Sequence, residues 1–287
     1  MVTATSLNVE TPSGKDVAYE NFPVGSWLLP AALRPHVAIF YAFARATDDV
    51  ADNPALTPEE KISRLNGFEE MLLGRGPDDR VYDKAKRMRI SLVETGVPPQ
   101  HCVDLLAAFK QDATKLRYDD WDDLVGYCML SAASVGRYMV DLHGGSRDGY
   151  GPSDALCIAL QIINHLQDAQ DDYRVLNRVY LPMDWMAAAG VDVSALDGVS
   201  TAPAFRRVFD LTLDGVERLM VDARKLPIGL SSKRLAMESA AIVRIAESLI
   251  DRLRRRDLLA RRVELTKAEY LWCCMRGAGA VFFGIYR

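Results

Sequence analysis

Two clusters of carboxylates carry most of the chemical information in this 287-residue chain. The first is Arg45-Ala46-Thr47-Asp48-Asp49-Val50-Ala51-Asp52. The second is Asn164-His165-Leu166-Gln167-Asp168-Ala169-Gln170-Asp171-Asp172. Asp48 and Asp52 stand at i and i+4, so a helix puts both on one face, about 6 Å apart along its axis. Asn164, Asp168 and Asp172 repeat that spacing over two turns. Apolar sequence precedes each cluster, Ile39 to Ala44 before the first and Ala155 to Ile163 before the second. A lone row of this kind reads as a solvated helix face. Two matched rows, each set in a helix that otherwise reads as buried, need positive charge to offset their desolvation. Hard oxygen donors of this type suit Mg2+, which takes one or two protein carboxylates and fills its shell with water and phosphate oxygens. The expected chemistry is therefore a diphosphate held through magnesium between two opposed helices.

The elements that position these rows read as helices throughout. The spacing predicts a helix from Leu28 to Asp52, and a second opened by Thr57-Pro58-Glu59-Glu60 with Thr57 as its cap. Further helices are expected over Pro98–Leu116, Asp119–Leu142, Pro152–Leu176, Ala204–Leu226, Ser231–Arg256 and Thr266–Phe282. No alternating strand pattern, internal repeat or low-complexity linker interrupts them. The expected architecture is all-α, one domain over 1–287 with a flexible stretch over 1–18. The small residues Ser131-Ala132-Ala133-Ser134-Val135-Gly136 fit either close helix packing or the wall of a cavity for a long apolar ligand.

Composition sets further bounds. Hydrophobic residues make up 49%, and the net charge of −4 gives no reason to expect nucleic acid as a partner. The five cysteines (102, 128, 157, 273 and 274) lack metal-ligand spacing and read as reduced core residues. No signal-peptide pattern and no membrane-spanning run are evident, so a cytoplasmic protein is expected.

Motifs across nearly the whole chain resemble the squalene/phytoene synthases, the head-to-head branch of isoprenoid synthases. They are Tyr41-x-x-x-Arg45-x-x-Asp48-Asp49-x-x-Asp52, Gln161-x-x-Asn164-x-x-x-Asp168-x-x-x-Asp172 and Arg178-x-Tyr180-x-Pro182, with Tyr127-Cys128 and Val135-Gly136 between. Finer features resemble the bacterial hydroxysqualene synthase branch of hopanoid and squalene biosynthesis. These are the stretch from Glu20 to Pro30, the run Asn164 to Asp168, and the run Asp172 to Pro182. The resemblance implies a helical bundle of the isoprenoid synthase type around a central cavity. It implies Mg2+ as cofactor and a prenyl diphosphate as substrate. In that branch presqualene diphosphate ionises, rearranges and is trapped by water as hydroxysqualene. An enzyme supplying presqualene diphosphate would then be a functional partner. A hydrophobic product would bring the protein into transient contact with the inner face of a membrane.

For the residues this implies Asp48, Asp52, Asn164, Asp168 and Asp172 on the metal, with Asp49 and Asp171 turned away by about 100°. Arg45 and Arg178 would hold the diphosphate, with Ser26, Tyr180 and Gln167 also at the substrate. Tyr41 stands either as a core aromatic, or as a ring facing the cation or a hydroxyl holding the diphosphate. His165 reads as a satisfied core group, and Lys115 and Arg174 as solvated charges. Many relatives carry Arg where this chain has Gln167; its neutrality fits a site for one diphosphate rather than two. The alternatives are condensation of two farnesyl diphosphates to presqualene diphosphate, dehydrosqualene or squalene, and a non-catalytic helical assembly factor on the same fold.

Overall fold

The computed structural model describes residues 29–76 and 79–286. Ser26, the Glu20–Leu28 part of the branch-like stretch and the 1–18 segment lie outside them.

The first acid row lies on α1 (Arg34–Ala51). This helix starts six residues later than the sequence pattern suggests, and Pro35 is the reason. Proline lacks an N–H and collides with the carbonyl four residues before it, so it is tolerated only in a first turn. Pro35 stands in that first turn, and a separate turn over residues 30–33 precedes it, closed by Leu33 N–H donating to the Pro30 carbonyl at 2.9 Å. Helix α2 (Pro58–Leu73) begins with the expected cap: Thr57 accepts from Glu60 N–H, and the Glu60 side chain accepts from Thr57 N–H. It ends on Gly74 at φ 70°, in the left-handed region. Helix α3 (Asp83–Thr95) has no counterpart among the expected helices. Only Ala85, Met88, Ser91 and Leu92 of it are buried, so its apolar stripe is thin. Helix α4 (Gln100–Asp112) follows Pro98 and Pro99.

The single helix expected over 119–142 is two, α5 (Trp121–Ser131) and α6 (Ala133–Leu142). The break falls at Ala132, where φ is −108° and ψ −44°. Ser131 and Ser134 on either side donate their hydroxyls back to Tyr127 and Leu130 carbonyls at 3.2 and 2.6 Å. Such back-bonding competes with the regular helical ladder and bends it. The run of small residues has a packing role here. A Cβ on Gly136 would lie 2.5 Å from Ser153 Oγ and 2.6 Å from Cys157 Sγ, so only glycine lets α6 approach the next helix this closely.

That helix is α7 (Tyr150–Leu176), 27 residues long and carrying the second acid row. It spans about 40 Å. It stops at Asn177, whose φ of 53° turns the chain sharply. After α8 (Met183–Ala188) come α9 (Pro203–Ala223), the short α10 (Leu226–Gly229), α11 (Lys233–Arg255) and α12 (Lys267–Phe282). Helix α12 repeats the box seen at α2, with Thr266 and Glu269 as its members. Among the described residues there is no β-strand, only an isolated parallel bridge between Tyr118 and Pro182.

Two apolar cores hold the helices. One gathers Val37, Phe40, Phe43 and Val50 of α1 with residues of α2, α3 and α4 and with Tyr138 and Leu142 of α6. The other gathers the buried face of α7 with those of α9 and α11. The two acid rows thus ride on helices from different cores, and α6 packs against both.

Candidate active site

In α1 the residues Tyr41, Arg45 and Asp48, with Asp52 just past its end, are partly exposed. Phe40 just before them and Phe43, Ala46, Thr47, Val50 and Ala51 between them are buried. In α7 the same holds for Asn164, Asp168 and Asp172, set among buried Ile162, Ile163, Leu166 and Ala169. Helical geometry accounts for both rows, since residues three and four apart share a face. Asp49, one step off the first row, is buried, and Asp171, one step off the second, is exposed.

Arg178 joins the two rows. The turn at Asn177 lets Arg178 N–H donate to the Asp172 carbonyl at 3.0 Å. Its guanidinium then reaches the end of α1, donating from Nη1 to Asp52 Oδ1 at 2.5 Å and from Nη2 to the Ala51 carbonyl at 2.9 Å. Only 4% of Arg178 is exposed. The following segment is pinned along residues 116–119: Val179 N–H donates to Leu116, Met183 N–H to Tyr118 and Asp184 N–H to Asp119, each at 3.0 Å. Burial lowers the basicity of the guanidinium, but Tyr180, Asp112 and Asp52 outweigh it, and Arg178 holds its proton more tightly than an ordinary arginine.

Beneath this pair lies a polar cage. Asp112, the last residue of α4, is 4% exposed. It accepts hydroxyl hydrogen bonds from Tyr127 at 2.8 Å and Tyr180 at 3.0 Å. Burial pushes its carboxyl up to about 6, against the downward pull of Arg178 and the two hydroxyls. The Tyr180 ring stacks on His165 at 3.6 Å between centroids. His165 in turn lies 3.7 Å from Asp172 Oδ2 and pairs with Gln161 at 3.1 Å. Lys61 also comes near, its ammonium made less basic by burial and by Arg178.

Each acid row therefore meets cationic groups. Arg45 lies 3.5 Å from Asp48 and 3.3 Å from Asp49. Arg262, from the loop between α11 and α12, grips Asp168 with both arms of its fork, at 2.5 and 3.1 Å. Gln167, 6% exposed, donates its amide to the Val263 carbonyl at 2.5 Å. The hydroxyl of Tyr180 and the amide of Gln167 thus serve protein partners. Lys115 is taken up by Asp123 at 2.5 Å, and Arg174 lies 3.5 Å from Asp197.

Among the described residues no three His, Cys, Asp or Glu side chains converge into a ready-made metal cage. The donors nonetheless fit magnesium in kind. They are carboxylate and amide oxygens, partly open, on two rows tied together by Arg178. Magnesium needs only one or two of them per ion when phosphate and water complete its shell.

Comparison with known proteins decides the family. The squalene/phytoene synthase family matches residues 16–269. The chain belongs to this family. A hydroxysqualene synthase of Rhodopseudomonas palustris is 42% identical over 262 residues, covering 91% of this chain and 89% of that protein. One from Zymomonas mobilis is 37% identical over 273 residues, covering 94% and 91%. Among solved structures, a squalene synthase from Alicyclobacillus acidocaldarius superposes with a TM-score of 0.72 at 29% identity, over 81% of this chain and 87% of that one. The all-α isoprenoid synthase architecture is thereby established for this squalene/phytoene synthase family member.

Two residues of the site carried no legible signal in the sequence. Asp112 ends an ordinary amphipathic helix, and its role appears only when Tyr127 and Tyr180 converge on it. Arg262 lies in the basic run Arg252 to Arg262, and its partner Asp168 is 94 residues away.

Proposed function

We propose that this enzyme converts presqualene diphosphate to hydroxysqualene with Mg2+ as cofactor. Its likeness to hydroxysqualene synthases over nine-tenths of its length carries this reading. The tie between the two acid rows through Arg178 supports it from the geometry. In this reading the helices over 1–287 form one domain, and Asp48, Asp52, Asn164, Asp168 and Asp172 hold the magnesium. Bound magnesium would offset the negative charge that grows on the departing diphosphate.

The side chains perform the rest. Arg45 and Arg178 supply guanidinium charge at the diphosphate end. The C–O bond to the diphosphate breaks with its electron pair leaving on oxygen, and Tyr41 turns its ring toward the cation left behind. Ser26 contacts the diphosphate in this reading. Tyr180 and Gln167 act from behind the substrate, through Asp112 and through Val263. Apolar side chains exclude bulk water until the rearranged cation forms. One water oxygen then bonds to carbon and releases a proton.

Among the described residues no helix is long and apolar enough to cross a membrane. Helix α12 and the residues after it expose Leu271, Trp272, Met275, Phe282, Phe283 and Ile285. Residues 270–287 contain Arg276 and Arg287 and no Asp or Glu, although the chain as a whole is acidic. An apolar, aromatic face that carries Arg276 complements an anionic bilayer surface. This supports a cytoplasmic protein that visits the inner face of the membrane, where an enzyme making presqualene diphosphate would hand over its product.

Product analysis tests the reading. The protein is incubated with presqualene diphosphate, and separately with farnesyl diphosphate, with and without NADPH. Hydroxysqualene from presqualene diphosphate alone is the expected result. Coupling of two farnesyl diphosphates would replace this reading with a condensing synthase, and inertness toward both would favour an assembly factor.

A further inference from the structure

Two consecutive residues of α7 meet two consecutive residues of the loop between α11 and α12. Gln167 donates to the Val263 carbonyl at 2.5 Å, and Arg262 forks onto Asp168 at 2.5 and 3.1 Å. The two contacts differ in setting. Gln167 and Val263 are buried, at 6% and 2% exposure, whereas Arg262 and Asp168 are partly open. A buried amide hydrogen bond is costly to break, and an open ion pair is readily exchanged. One contact is therefore an anchor and the other a working end.

We propose that Gln167 is a positioning residue for the diphosphate reaction: it anchors Val263 so that Arg262 stands at Asp168, ready to pass to the substrate diphosphate when a divalent cation takes that carboxylate. The proposal rests on the reading of Asp168 as a cation ligand. A guanidinium fork matches two phosphate oxygens as well as two carboxylate oxygens, so the exchange keeps its bidentate geometry. The neutral side chain at 167 is then no loss of charge at the site. It sets a charge that arrives from another part of the chain.

A double-mutant cycle tests this by a binding readout independent of turnover. Binding of inorganic pyrophosphate in the presence of Mg2+ is measured by calorimetry for the wild type, Gln167→Ala, Arg262→Ala and the double variant. Gln167→Met serves as a second variant that keeps the volume and removes the donor, and thermal melting confirms that each variant is folded. The wild-type background should lose about tenfold in affinity on Gln167→Ala or Gln167→Met. In the Arg262→Ala background the same changes should cost about twofold or less. Mg2+ alone should bind Arg262→Ala more tightly than wild type, because its competitor for Asp168 is gone. Equal losses in both backgrounds, or no loss on removing the Gln167 donor, would overturn the positioning role. A wild type that binds no pyrophosphate with Mg2+ would overturn the cation-site reading, and the proposal with it.

Discussion

Replacing Asp112 by asparagine should change how stability depends on pH, and the structure gives the size of the change. Asp112 is 4% exposed, and burial lifts its carboxyl from an ordinary 3.8 to about 6. The folded protein therefore holds this proton more tightly than the unfolded chain does. Between these two values the native state carries more protons, so stability falls as pH rises. From pH 4.5 to pH 7.5 the loss comes to about 2 kcal/mol, for a shift from 3.8 to about 6. The amide of the Asp112→Asn variant cannot titrate. Urea denaturation at both pH values, in metal-free buffer, gives each protein's change in stability. The wild-type drop should exceed the Asp112→Asn drop by about 2 kcal/mol. Asparagine offers one acceptor oxygen where the carboxylate offers two to Tyr127 and Tyr180, so a pH-independent offset of about 1 kcal/mol is expected as well. Identical pH slopes for the two proteins would refute the buried-carboxylate argument.

Three further perturbations follow from the same structure. Arg178→Ala removes the bonds to Asp52 and to the Ala51 carbonyl and should cost about 3–5 kcal/mol in denaturant unfolding; a loss below about 1 kcal/mol would show that the link between the acid rows is not a stabilising one. Glu238 on α11 is 5% exposed, its Oε2 has no hydrogen-bond partner among the described residues, and burial raises its carboxyl from 4.5 to about 7. Its folded value again exceeds the unfolded one, so the penalty is complete above pH 7; Glu238→Met should stabilise the protein by about 3 kcal/mol at pH 8 and by little at pH 4, and an equal effect at both would contradict this. Replacing Trp272 and Phe283 together by serine should release the protein from vesicles containing anionic lipid; unchanged co-sedimentation would rule out α12 as the contact face.

Local signals made much of this fold legible. Thr57 with Glu60, and Thr266 with Glu269, announce helix starts because a hydroxyl and a carboxylate at that spacing satisfy backbone donors that no helix can satisfy itself. The acid rows were legible because their polar residues recur at helical spacing within apolar sequence. Helix α3 was not, since a face with so few buried side chains looks like solvated chain. Nor was the break at Ala132, which depends on hydroxyls turning back on their own helix. Pairings across the chain were the least legible of all. Arg178 with Asp52 and Arg262 with Asp168 join residues 126 and 94 positions apart, and no local pattern relates them.

The account rests on the two acid rows acting together through a divalent cation. Turnover of presqualene diphosphate against Mg2+ concentration, for wild type, Asp52→Asn and Asp168→Asn, tests this most directly. Each substitution removes one ligand charge with little change in volume. The account predicts Mg2+-dependent release of diphosphate by the wild type and its loss in both variants, with each variant still giving a cooperative thermal unfolding transition. Turnover retained in both variants, or wild-type turnover unchanged by chelation of the metal, would contradict it.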